Sequence, residues 1–252
     1  MIALFSGTPG SGKSLHTASV IKAWLRMGRP VICNFDIDRG RCKGTGDFQY
    51  LPNEELTVDF LEDYAARYWQ GRKMREDTIL LVIDECQLIF NAREWAKAGR
   101  DRWLSFFTQH RKFGYYVVLV AQFDRMIDRQ IRSLIEYEYV HRKVSNFGIW
   151  GKVFSSVALG KLFVAVKVWY PLHEKVGSDF FVARPGLYRI YDTYARLDGP
   201  SSLSASAGGE SGAPPADADR KGGKGIRETL RNALHRFAGG VYYHFVECRP
   251  EV

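Results

Sequence analysis

Nowhere in the 252 residues do eighteen apolar residues run together, so no membrane-crossing helix is encoded. Cysteine is scarce. The four present, Cys33, Cys42, Cys86 and Cys248, form no C-x-x-C pair and join no histidine cluster at metal-ligand spacing, which excludes a zinc finger and a dithiol redox motif. No charged leader precedes the first apolar run, so a secretory signal is not expected and a reducing, cytoplasmic setting is. Acidic residues are outnumbered: 28 Asp and Glu against 36 Lys and Arg leave a net charge of +8, which favours polyanionic partners such as nucleic acid or an anionic membrane surface. A hydrophobic share of 46% excludes a wholly disordered chain, and the length suits one large α/β domain with a full core or a domain plus an appendage.

What is present begins at the amino terminus. The apolar run Ile2 to Phe5 leads into Gly7, Thr8, Pro9, Gly10, Ser11, Gly12, Lys13 and Ser14, and Leu15 opens a helical pattern reaching Met27. Strand, G-x-x-x-x-G-K-[ST] and helix, in that order, is the phosphate-binding loop. A backbone that wraps a phosphate must turn successive N–H groups inward, which demands dihedrals that glycine tolerates. Lys13 is placed to reach the β- and γ-phosphates of ATP, Ser14 to ligate Mg²⁺, and the positive end of the helix to face the anion.

Further along, Arg29 to Phe35 reads as a second strand, Arg39 to Pro52 as a loop, and Thr57 to Gln70 as an amphipathic helix ending at Gly71. Thr78 to Ile83 is a short β-branched run, which argues a buried parallel strand, and Asp84 and Glu85 follow it directly. After a phosphate loop, that order assigns Asp84 to the Mg²⁺ shell and Glu85 to the attacking water. A helical pattern from Ala92 to Gly114 closes on the basic residues His110, Arg111 and Lys112. Two readings stand for Arg111: complementing a helix C-terminus, or reaching a neighbouring subunit's γ-phosphate as an arginine finger. Tyr115 to Gln122 is another buried strand whose polar end, Gln122, is a candidate γ-phosphate sensor or simply the first residue of a loop.

Then the alternation breaks. Asp128 to Leu134 suggests a short basic helix. Ile135 to Val140 and Leu162 to Trp169 suggest strands of an added antiparallel extension, with a turn near Asn146 to Gly148 and a solvated basic edge at His141, Arg142 and Lys143. Residues 198–225 are rich in Ser, Ala, Gly and Pro and read as a flexible linker after a domain at 1–197. Residues 226–252 hold an apolar stripe, Ile226, Leu230, Leu234 and Phe237, in a basic amphipathic tail suited to docking on the domain, a partner or a membrane surface.

The phosphate loop, Leu81 to Cys86, His110 to Gly114 running into a strand that ends at Ala121-Gln122, and Ile131 to Glu136 together resemble the zonula occludens toxin family, which includes the assembly ATPases of filamentous phages. The resemblance reaches about Tyr194. It implies an α/β P-loop NTPase of the additional-strand type, with a mainly parallel central sheet. It also implies a homo-oligomeric ring that uses ATP and Mg²⁺ to extrude single-stranded DNA with phage assembly or envelope proteins. By position it assigns Lys13 and Ser14 to nucleotide and Mg²⁺, Asp84 and Glu85 to metal and water, and Arg111 and Gln122 to completing the site. Family members usually carry a membrane span after this domain; the linker and tail found there instead leave two readings, a chain brought to the inner face of the membrane by a partner or its tail, or a truncated version of a longer one. A DNA pump for packaging, conjugation or partition would use the same residues, and so would an ATP-switched scaffold with little turnover.

Overall fold

The computed structural model describes residues 1–91, 99–144, 162–183, 185–188 and 190. The parallel strands are short and apolar on both sides. β1 (Ile2–Ser6), β2 (Val31–Cys33), β4 (Ile79–Ile83) and β5 (Tyr115–Val120) are buried at every residue, as a sheet covered on two faces requires. β3 (Phe48–Tyr50) lies at the rim, half-buried.

Alternate residues of each strand serve opposite cores. Ile2 and Leu4 of β1, with Leu81 and Ile83 of β4, pack against Leu61 and Ala65 of α2 (Val58–Trp69) and Phe106 and Phe107 of α3 (Arg100–Gln109). Ala3, Phe5, Leu80 and Val82 face the other way, onto Ala18, Ile21 and Trp24 of α1 (Lys13–Arg26). Leu4 is completely buried, and its truncation to alanine would cost about 2–5 kcal/mol. Thr57 caps α2 through its side-chain oxygen, which accepts from Phe60 N–H at 3.3 Å.

The eight strands form one sheet in the order β3-β2-β4-β5-β1-β6-β7-β8. Six run parallel, and β6 (Tyr137–Lys143) is the last of them, pairing with β1 in register Ala3 to Tyr137. β7 (Leu162–Trp169) and β8 (Glu174–Val182) add an antiparallel hairpin. β5 stands between β1 and β4, so one additional strand separates the phosphate loop from Asp84 and Glu85. Among the described residues no helix is long and apolar enough to cross a membrane.

Several expectations change. The antiparallel extension begins at β7; β6, read from sequence as part of it, joins β1 in parallel because the segment after β5, with a 3₁₀ turn at Asp124–Met126 and the short α4 (Arg129–Arg132), carries the chain back before it starts. The loop at Arg39 to Pro52 contains β3, whose Phe-Gln-Tyr is too brief to show a period. α3 gives way to a separate 3₁₀ turn, His110–Phe113. β8 has polar residues at four of its nine positions and was not foreseen. Residues 92–98, the turn near 146–148, the linker and the tail lie outside the described residues.

Candidate functional site

Register brings the carboxyl ends of the parallel strands to one edge: Phe5 pairs with Val120, Ile83 with Leu119 and Cys33 with Val82. The polar residues that follow these strands therefore meet there.

The loop after β1 is bent at Gly7 (φ 140°) and Gly12 (φ 99°). A Cβ at Gly7 would stand 2.6 Å from the His141 carbonyl oxygen, and one at Gly12 would stand 2.7 Å from the Phe163 ring, so both dihedral and space demand glycine. Gly7 N–H donates to the Gln122 carbonyl at 3.1 Å and Ser11 N–H to the Thr8 carbonyl at 3.1 Å, which closes the loop on itself and on the end of β5. Thr8, Pro9 and Gly10 form the exposed crest, while Ser11 is buried and its hydroxyl has no hydrogen-bond partner. α1 then starts with no side-chain cap and no acidic residue in its first turn, leaving its positive end for an anion. Leu15 gives its side chain to a small cluster with Phe163 and Ala183, so only its backbone faces the loop side.

Lys13 lies over this cradle. Its ammonium donates to the Gly7 carbonyl at 2.5 Å and to the Thr8 carbonyl at 3.4 Å. Burial pulls its pKa down, while the nearby charges of Glu85 and, less strongly, Asp84 oppose that shift. Those two acids reach the site across β5.

Asp84 is 8% exposed, and its backbone is clamped by a side chain that sequence reasoning passed over. Asp84 N–H donates to Asn34 Oδ1 at 2.7 Å, and Asn34 Nδ2 donates to the Asp84 carbonyl at 2.9 Å and to Asn53 Oδ1 at 2.9 Å. The signal for Asn34 was the same as for Gln122: a polar residue at the end of an apolar strand. Glu85 sits in the left-handed region (φ 44°), donates its N–H to Asp84 Oδ1 at 2.9 Å, and accepts a hydrogen bond from the Gln87 amide on its carboxylate.

Gln122 borders a cavity of about 430 Å³ shared with Ser6, Thr8, Asp124, Glu138 and His141. The Ser6 hydroxyl donates to Glu138 at 2.5 Å, and burial raises the Glu138 pKa.

His141 is corrected. Read as part of a solvated basic edge, it is 1% exposed. Its Nδ1 stands 3.0 Å from the Ser6 carbonyl and its Nε2 2.8 Å from Nδ1 of His16 on α1. A carbonyl only accepts, so Nδ1 of His141 carries the proton, and in the neutral ring Nε2 accepts from His16 Nδ1–H. Burial favours that neutral form. Burial pushes His141 down to about 4, and burial with the neighbouring ring pushes His16 well below its ordinary value. The pair ties α1 to β6 under the loop.

Arg111 is not brought to this edge within the chain. It precedes β5, at the amino ends of the strands, and its guanidinium donates to Glu136 Oε2 at 2.9 Å. The five residues of β1 separate it from the loop by roughly 16 Å along the sheet at about 3.3 Å per residue.

Chemically, the edge offers a phosphate cradle, the Lys13 ammonium and an acid pair. Ser14, half-buried in the first turn of α1, supplies a hydroxyl and Asp84 a carboxylate. Among the described residues no group of three or more His, Cys, Asp or Glu could hold a metal by itself. One or two protein ligands suit Mg²⁺ that completes its shell with phosphate oxygens and water, so the donor set fits a nucleotide-borne ion.

The family model described as "Zonular occludens toxin (Zot)" matches residues 1–172. The Gene 1 protein of Escherichia phage If1 is 28% identical over 164 residues, 62% of this chain and 46% of that protein. "Putative assembly protein ORF301" of Pseudomonas phage Pf3 is 31% identical over 137 residues, 54% of this chain and 40% of that protein. The chain spans about half the length of the first curated relatives it matches. Among solved structures, the ATPase domain of G40P aligns with a TM-score of 0.50 at 6% identity, covering 76% of this chain and 84% of that one, a likeness of fold.

Proposed function

This chain belongs to the zonular occludens toxin family, and from that premise we propose that it is an Mg²⁺-dependent ATPase motor for filamentous-phage assembly, extruding single-stranded DNA from the cytoplasmic side. The observation that carries the reading is the placement of Asp84 and Glu85 one strand away from the Gly7 to Ser14 loop, with the Lys13 ammonium near both charges. Its relatives in phages, one of them described as an assembly protein, support the setting.

In this reading the loop amides and Lys13 bind the β- and γ-phosphates, and Ser14 and Asp84 hold the Mg²⁺ that offsets their charge. Glu85 accepts the proton of the water attacking the γ-phosphorus, and Gln122 reports the state of that phosphate to the strand end it shares with Gly7. Arg111 acts on a neighbouring copy's nucleotide in a ring, since its own lies at the far edge. Envelope or phage assembly proteins, or the tail, bring the motor to the inner face of the membrane.

Phosphate release by the purified chain tests this. Turnover should rise with protein concentration and again when single-stranded DNA is added. An absence of turnover in both conditions, with ATP demonstrably bound, would leave an ATP-switched scaffold instead.

A further inference from the structure

Gln87 lies two residues beyond Glu85, in the 3₁₀ turn Cys86–Leu88. Its Nε2 donates to Glu85 Oε2, while its own Oε1 is buried with no hydrogen-bond partner. The amide is held at one end only.

Glu85 is fixed everywhere except in its side chain. Its N–H donates to Asp84 Oδ1 at 2.9 Å, its carbonyl accepts from Leu88 N–H at 2.8 Å, and its φ of 44° keeps it in a conformation that a non-glycine residue holds only when its surroundings impose it. Any change in where the carboxylate points is therefore a change of side-chain torsions. In the described conformation one carboxylate oxygen is taken up by Gln87, and Glu85 is also the strongest negative influence on Lys13, so the phosphate side of the site is within its reach.

From this geometry we infer that Gln87 is a positioning residue that parks the Glu85 carboxylate and withholds it from the attacking water until the site is completed. The inference rests on the ATPase reading above. The bond from the amide to a charged acceptor stabilises the parked setting, and an amide that turned away to pair its buried oxygen would offset part of that gain. A difference in how γ-phosphate or a neighbouring copy meets the two settings then moves the population. The arrangement gives a motor low turnover when alone and full turnover when assembled, with no change in backbone.

The test is steady-state ATP hydrolysis by the unassembled full chain carrying Gln87→Met, which keeps length and removes the donor. Turnover at saturating ATP is expected to rise about threefold or more, while KM and the affinity for a non-hydrolysable analogue stay within about twofold. The Glu85→Gln/Gln87→Met double variant should be as slow as Glu85→Gln alone. A folded Gln87→Met protein whose turnover equals or falls below wild type overturns the inference, because the amide would then be inert or would be aiming Glu85 productively. Should Gln87→Met fail to fold, Gln87→Leu decides by the same readout, since it also removes the donor and adds no charge. Wild type that hydrolyses nothing, alone or assembled, defeats the ATPase reading itself and this inference with it, and is told apart by the wild-type trace.

Discussion

The six parallel strands have two ends, and the chain equips them differently. At the amino ends charges neutralise one another: the Met1 ammonium lies 2.6 Å from Asp77, and Arg111 lies 2.9 Å from Glu136. At the carboxyl ends Lys13 rests on the Gly7 and Thr8 carbonyls and Glu85 on the Gln87 amide. A neutral donor or acceptor gives up a charged partner more readily than an opposite charge does. Within the single chain the first edge is thereby charge-paired, with Arg111 still 53% exposed and within reach of a neighbour, and the second keeps its ions exchangeable for a ligand.

The sharpest way to break that contrast is Lys13→Ala. Removing the ammonium that lies over the cradle should weaken nucleotide binding by about a hundredfold or more, read by titration with a fluorescent ATP analogue, with the fold intact by circular dichroism. Next in size is Asn34→Ala. Asn34 is 1% exposed and meets both backbone groups of Asp84; its loss removes both of these bonds, at about 2–3 kcal/mol in urea unfolding.

A third effect separates the buried pair beneath the loop from the surface. The folded pKa of His141, about 4, lies below its ordinary 6.5, so the unfolded chain takes up protons first as pH falls. Its contribution to stability is complete above pH 6.5 and is lost progressively between 6.5 and about 4, and His16 acts in the same direction. Unfolding midpoints at pH 7.5 and 5 should differ less for His141→Asn, which keeps a donor for Ser6, than for wild type.

The smallest effect belongs to the amino edge. Arg111 is 53% exposed, and Arg111→Ala should cost less than about 1 kcal/mol of stability and leave analogue binding within about twofold. Mixed with Lys13→Ala subunits, it should restore turnover if Arg111 serves a neighbour. No restoration in assemblies shown to form would leave it as half of a surface ion pair.

What the sequence disclosed follows from range. The phosphate loop is eight consecutive residues and Asp84 directly ends a strand, so both were legible, as was β5, an unbroken apolar run. The parallel placement of β6 depends on how the short segment between β5 and β6, with α4, returns the chain, which no local period encodes. The imidazole pair joins positions 125 apart, and in sequence His141 stands beside Arg142 and Lys143 with nothing to mark it as buried. Asn34 and Gln87 were present in the same stretches that were read, yet their roles are hydrogen bonds to a backbone and to a carboxylate that only register and a 3₁₀ turn bring within reach.

The central claim is that the carboxyl edge hydrolyses the nucleotide it holds. Paired measurements on Glu85→Gln, analogue affinity by titration and phosphate release at saturating ATP and Mg²⁺, test it most directly. The account predicts affinity within about threefold of wild type and turnover lower by about a hundredfold or more. Turnover within a few-fold of wild type would contradict it.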